Sequence, residues 1–179
     1  MMDKAYIHLC GNGNAVLLNG PSSAGKSSVA GALQKKLAAV GVDAVILSVD
    51  DYMQVPSDKE IWEDDVFEIM PGMCRDVTQA LQEKKTVIVD HVITSARIYE
   101  ALTEAAAGFC MKKVRVSCSV EILRRREAER GDRYAGSAET SLRYLYPKEG
   151  YDLYIDSGKE DPDSIAGKIM EILRDQRSV

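Results

Sequence analysis

The residues whose types and spacing most clearly could do chemistry are Gly20-Pro21-Ser22-Ser23-Ala24-Gly25-Lys26-Ser27, a G-x-x-x-x-G-K-S run followed by Ser28. Glycines let such a backbone curl until successive N–H groups point inward, at the oxygens of a phosphate chain. A helix starting where the run ends adds its partial positive charge. The Lys26 ammonium would reach β- and γ-phosphates, and the Ser27 hydroxyl would hold Mg²⁺. A chance Gly/Ser loop is the bland alternative. The apolar run before the motif and the helical spacing after it speak against that.

A phosphate site also needs an acidic group near its metal ion and a group to activate an acceptor. Asp90 ends the run V-I-V-D and suits the metal role; otherwise it caps a turn. Asp50 follows a second apolar run and is the candidate general base for an acceptor hydroxyl. Asp51 reads more simply as a cap. His91 adjoins Asp90 and would point to the other side of a continuing strand.

The segment 123–133 reads L-R-R-R-E-A-E-R-G-D-R. Arg126 and Arg130 are one helical turn apart and share a face, with Arg133 able to follow. Such arginines could stabilise the charge that develops in phosphoryl transfer. The competing reading is a solvated helix laced with Glu127 and Glu129 pairs, and it suits Arg124 and Arg125.

These side chains need a scaffold. The runs Ala15–Leu18, Ala44–Val49 and Val87–Val89 are rich in Val, Ile and Leu without clean alternation, as in strands buried on both faces of a parallel sheet. Val114–Cys118 and Leu153–Ile155 are weaker strands. Helices are expected around Val29, Leu33 and Leu37, stopping near Gly41, and over Met73–Gln82, Ala96–Ala107, Val120–Arg130 and Asp163–Leu173. Alternating strands and helices imply right-handed βαβ units. Ligands then sit at the C-terminal ends of the strands, where Asn19, Asp50 and Asp90 fall. Residues 1–14 fit this scheme poorly: Gly11–Asn14 reads as a turn, and the segment before it as an edge strand or a loose tail.

The 179 residues suit one domain, and 45% apolar content supports a real core. A net charge of −5 argues against a nucleic-acid partner. No apolar run is long enough for a membrane span, and no secretory leader is evident. Cys10, Cys74, Cys110 and Cys118 never form C-x-x-C, so they are expected to be free thiols in a reducing cytoplasm.

Taken together, L-N-G-P-S-S-A-G-K-S at 18–27, V-D at 49–50, V-I-V-D at 87–90, R-G-D-R at 130–133 with Gly136, and Y-D-L-Y-I-D-S at 151–157 resemble the chloramphenicol phosphotransferase-like family of P-loop kinases. The resemblance runs from about Val16 onward. It implies a three-layer α/β fold with helices on both faces of a five-stranded parallel sheet in the order 2-3-1-4-5. An arginine-bearing lid at about 120–148 would complete a single kinase domain. It also implies ATP with Mg²⁺ and transfer to a small-molecule hydroxyl. Asp50 matches the family's base, Lys26 and Ser27 its phosphate and metal residues, and Arg130 and Arg133 its lid arginines. Tyr52–Met73, where the acceptor binds in that family, departs from the antibiotic kinase's pattern and leaves the acceptor open. A nucleotide, sugar or shikimate-type kinase is one alternative. A non-catalytic ATP-binding switch, which would not need Asp50 or the arginines, is another. Oligomeric state is not legible.

Overall fold

A computed structural model describes residues 13–53, 59–132 and 134–174. In chain order these form β1 (Asn14–Asn19), α1 (Lys26–Ala39), β2 (Ala44–Ser48), α2 (Val49–Tyr52), α3 (Glu63–Gln82), β3 (Thr86–His91), α4 (Ala96–Ala105), β4 (Cys110–Ser117), α5 (Val120–Arg130), α6 (Ser137–Tyr144), β5 (Leu153–Asp156) and α7 (Pro162–Arg174). The strands make one sheet in the order β2-β3-β1-β4-β5, every pairing parallel. This is the expected class and strand order.

Alternation along the central strands divides the interior in two. Val16 and Leu18 of β1, Ile88 of β3 and Val114 and Val116 of β4 pack with Val29, Leu33 and Leu37 of α1 and Ile165, Ile169 and Leu173 of α7. Ala15, Leu17, Val87 and Val89 face the other way, onto Met70, Met73, Val77 and Leu81 of α3 and Ile98 and Leu102 of α4. Each helix presents its apolar residues three or four apart, so one stripe is buried against the sheet. Each fully buried large side chain contributes roughly 1.5–3 kcal/mol, and together they lock the strand ends in register. Leu18 lies opposite both Asp90 and Val114, Ser48 opposite Asp90, and Asn19 opposite His91. The carboxyl ends of β1, β2 and β3 therefore finish side by side.

Several elements differ from the sequence expectation. β2 stops at Ser48, and Asp50 sits on the single turn α2 instead of at a strand end. α3 begins at Glu63, well before the expected Met73, and runs through Pro71. Proline inside a helix removes a hydrogen bond at a cost of about 3 kcal/mol. Burial of Met70 before it and Met73 after it offsets that loss. α6 was not expected at all, because Ala138 is its one buried residue and leaves no apolar stripe to read. Asn14 belongs to β1, whereas residues 1–12, including the expected turn's start, lie outside the described residues. Cys74 and Cys118 are free thiols, but Cys110 is disulfide-bonded, which overturns the expectation of free thiols throughout. Spacing along the chain does not bound which residues a fold brings together. Among the described residues no helix is long and apolar enough to cross a membrane.

Candidate active site

β1 opens directly into the glycine-rich loop. A Cβ at Gly20 would fall 1.9 Å from the Val116 carbonyl oxygen of β4, so no side chain fits there. Gly25, at φ 88°, occupies the left-handed region and starts α1. Between them the Pro21 carbonyl accepts the Ala24 N–H at 3.3 Å and the Lys26 ammonium at 2.9 Å. Lys26 is only 6% exposed, so its charge is folded into the loop it serves. Ser23 adopts a positive φ of 62° without being glycine, and its Oγ is buried with no partner.

The Ser27 hydroxyl donates to Asp90 Oδ2 at 2.6 Å, and Asp90 is 4% exposed. Two oxygen groups named separately from the sequence are thus in contact. They fit Mg²⁺, which takes one or two protein oxygens and completes its shell with phosphate oxygens and water. Among the described residues no group of three His, Cys, Asp or Glu could instead make an all-protein metal cage. A cavity of roughly 700 Å³ opens above the loop. Lys26, Ser27, Ser28, Asp50, Asp90, Arg126 and Arg130 all line it. Asp50 comes from α2 and is exposed at the rim.

The arginines separate into three kinds. Arg126 is a fixed clamp: Nη1 donates to the Ala24 carbonyl at 3.4 Å and Ser157 Oγ at 3.1 Å, and Nη2 to the Ser157 carbonyl at 2.8 Å. Ser157 Oγ in turn donates to Ala24 O at 2.6 Å. Arg130 reaches the same cavity with its guanidinium forked onto Asp132, at 3.1 and 3.2 Å. Arg124 pairs with Glu139, and Arg125 with Glu129, in exposed positions, as the solvated-helix reading has it. Arg133 lies outside the described residues.

Several residues with no expected role hold this edge together. Asn19 donates to the Tyr146 carbonyl and the Tyr151 hydroxyl at 2.9 and 2.7 Å, and accepts from Ile93 N–H at 3.0 Å. It joins the ends of β1 and β3 to the segment entering β5. Glu127, read from the sequence as a surface partner for arginine, is 9% exposed and accepts from the Gly136 and Ala138 amides. Its signal was the four-residue step from Leu123, which puts it on the buried face of α5. Ser141 on α6 carried no sequence signal, and Ser157 was noted only as the last residue of Y-D-L-Y-I-D-S, without a role. His91 is fully buried on the face opposite Asp90, and neither ring nitrogen has a hydrogen-bond partner among the described residues. Desolvation pushes its pKa down to about 4. Tyr52, at the start of the segment 52–73, donates to Asp76 at 2.7 Å, and burial first and that carboxylate second raise its pKa.

A family model described as chloramphenicol phosphotransferase-like protein matches residues 13–174. A Mycobacterium tuberculosis protein provisionally named an O-phosphotransferase is 28% identical over 183 aligned positions, which span 89% of this chain and 81% of that protein. The structure of APS kinase from M. tuberculosis in complex with AMPPNP and APS aligns with a TM-score of 0.74 at 21% identity, covering 90% of this chain and 98% of the other. The tunicamycin resistance protein of Deinococcus radiodurans aligns with a TM-score of 0.63 at 17% identity, covering 90% and 95%. The likenesses between structures show a common α/β P-loop kinase fold.

Proposed function

This chain belongs to the chloramphenicol phosphotransferase-like family, and from that premise we propose that it is a small-molecule kinase moving the γ-phosphate of ATP to an acceptor hydroxyl. The observation that carries the reading is convergence. Lys26, the Ser27–Asp90 pair and Asp50 come from separate elements and open onto one cavity.

The cavity supports a division of roles. Loop amides and Lys26 hold the triphosphate. Ser27 and Asp90 would hold Mg²⁺, which supplies charge neutralisation between the phosphates. Asp50 accepts the acceptor's proton as its oxygen bonds to the γ-phosphorus and the bond to ADP breaks. Arg126 fixes the nucleotide end of the cavity. Arg130, released from Asp132, and Arg133 belong to a lid at about 120–148; they neutralise the transferring group and exclude water from the site. The described elements and the lid work as one kinase domain, with the cytoplasm as its setting.

The test is mass detection of phosphorylated product from ATP–Mg²⁺ and a panel of hydroxylated small molecules that includes chloramphenicol. Lys26→Ala should abolish product. Asp50→Asn should leave ATP affinity within about twofold and cut transfer by roughly 10²–10⁴. Undiminished transfer in Asp50→Asn would remove the proposed base. Phosphorylated chloramphenicol would make antibiotic resistance the role; a sugar or nucleoside product would keep the mechanism and change the acceptor. Tight ATP binding with no product across the panel would favour a nucleotide-binding switch.

A further inference from the structure

We propose that α6 is a strut that presets the phosphate loop, and that Glu127 and Ser141 are positioning residues for the nucleotide although neither touches the phosphates. The proposal rests on the ATP reading above and adds two residues to it.

A helix begins with N–H groups that have no partner inside the helix. Gly136, which caps α6, has no side chain to meet them. Glu127 supplies the cap from the preceding helix: its two carboxylate oxygens accept the Gly136 N–H at 2.8 Å and the Ala138 N–H at 2.7 Å. A carboxylate on helix amides makes charge-assisted bonds, aligned with the helix dipole. One turn on, the Ser141 hydroxyl donates its single proton to the Ala138 carbonyl at 3.0 Å. Its oxygen is then an acceptor, and the Ser22 N–H donates to it at 2.9 Å. The result is a mechanical relay from the Glu127 carboxylate through residue Ala138 and the Ser141 hydroxyl to the backbone of the phosphate loop; the Ala138 N–H and C=O belong to successive peptide groups, so what it passes on is position.

The point of arrival matters. Ser22 directly precedes Ser23, the non-glycine residue at φ 62° with an unpartnered hydroxyl. A residue in that region costs on the order of 1–3 kcal/mol and persists where its surroundings impose it. Nothing in Ser23's own side chain does so. The Ser22 anchor on one side and the Pro21 carbonyl bonds on the other do. The neighbouring residue on α5, Arg126, holds the loop's far end through Ala24 O. Consecutive residues of α5 therefore grip both halves of the loop, Arg126 directly and Glu127 through α6. Preorganised donors bind without first being ordered, so loosening either grip should show as weaker nucleotide binding.

Hydrogen exchange of the 19–27 peptide in nucleotide-free protein tests the strut itself. Calorimetric titration with ATP–Mg²⁺ tests its consequence. Ser141→Ala and Glu127→Ala should each speed exchange in that peptide and weaken ATP by up to about tenfold. Glu127→Gln keeps one oxygen acceptor and should lose less. The double variant Glu127→Ala/Ser141→Ala should bind no worse than the weaker single one, because a relay is broken once. Unchanged exchange in Ser141→Ala and Glu127→Gln would overturn the proposal, and so would additive losses in the double variant. If Glu127→Ala does not fold, those two milder variants and their combination give the same readings. Absence of ATP binding by the wild type would instead remove the nucleotide reading, and the exchange result would still judge the strut.

Discussion

The floor of the cavity depends on a few atoms whose partners are close at hand: Lys26 on Pro21 O, Ser27 on Asp90, Arg126 on Ala24 and Ser157. Beside them His91 is an imidazole that gains almost nothing from its surroundings. Its burial lowers its pKa from 6.5 to about 4, with the Lys26 charge adding to the shift and Asp50 opposing it. The sign of the effect on stability follows. Between those two values the unfolded chain carries a proton that the folded protein refuses. This contribution is therefore complete above about pH 6.5 and is lost as the pH falls toward 4, by an amount on the order of 3 kcal/mol. Thermal unfolding of nucleotide-free protein across that range should show a steeper decline for the wild type than for His91→Leu. Parallel curves would mean that the ring is hydrated. At this scale the sequence was most legible where the chemistry is local. The phosphate loop lies in one continuous motif, and Asp90 falls near the carboxyl end of a readable strand. Glu127 and Ser141 act across a turn of irregular chain, and their partners are backbone amides, which have no residue type to recognise.

Elements were legible in proportion to the length of their buried stripe. α1 and α7 repeat apolar residues every three or four positions and fall almost where expected. α2 is a single turn, and α6 is anchored by polar bonds, so neither leaves such a pattern. α3 was hidden by Pro71, which reads as a helix boundary when only local preference is weighed. In the fold, Met70, Met73, Val77 and Leu81 share one buried face across it. Pro71→Ala would restore the missing N–H to that helix. The variant should be more stable by about 1 kcal/mol, the helix gain being partly cancelled by a more flexible unfolded chain. Urea denaturation measures this directly. A destabilised variant would show that α3 needs its proline to lie against the sheet.

For the molecule as a whole, ligand binding and folding are coupled, because the loop exists only when β1, β4 and α1 are assembled. Saturation with ATP–Mg²⁺ at a hundredfold excess over its dissociation constant should stabilise the fold by about 2.7 kcal/mol. In a chain of this size that raises the melting temperature by roughly 5–10 °C. Lys26→Ala should lose most of the rise; no rise in the wild type would count against nucleotide binding. A parallel sheet built of right-handed βαβ units was readable from the alternation of apolar runs and helical patterns, whereas the strand order followed only from the family resemblance. The acceptor was not, because its recognition depends on the shape of surfaces that no short motif encodes.

The central position of β1 has one more effect. Leu18 lies opposite Asp90 on one side and Val114 on the other, and Gly20 begins the phosphate loop two residues later. The metal-binding carboxylate and the phosphate-binding loop are therefore measured from a shared datum. Their separation is set by one interstrand step of about 4.8 Å and a short loop. Positioning errors in the outlying helices do not accumulate into it, much as two marks cut on one rule stay in register however the bench is moved.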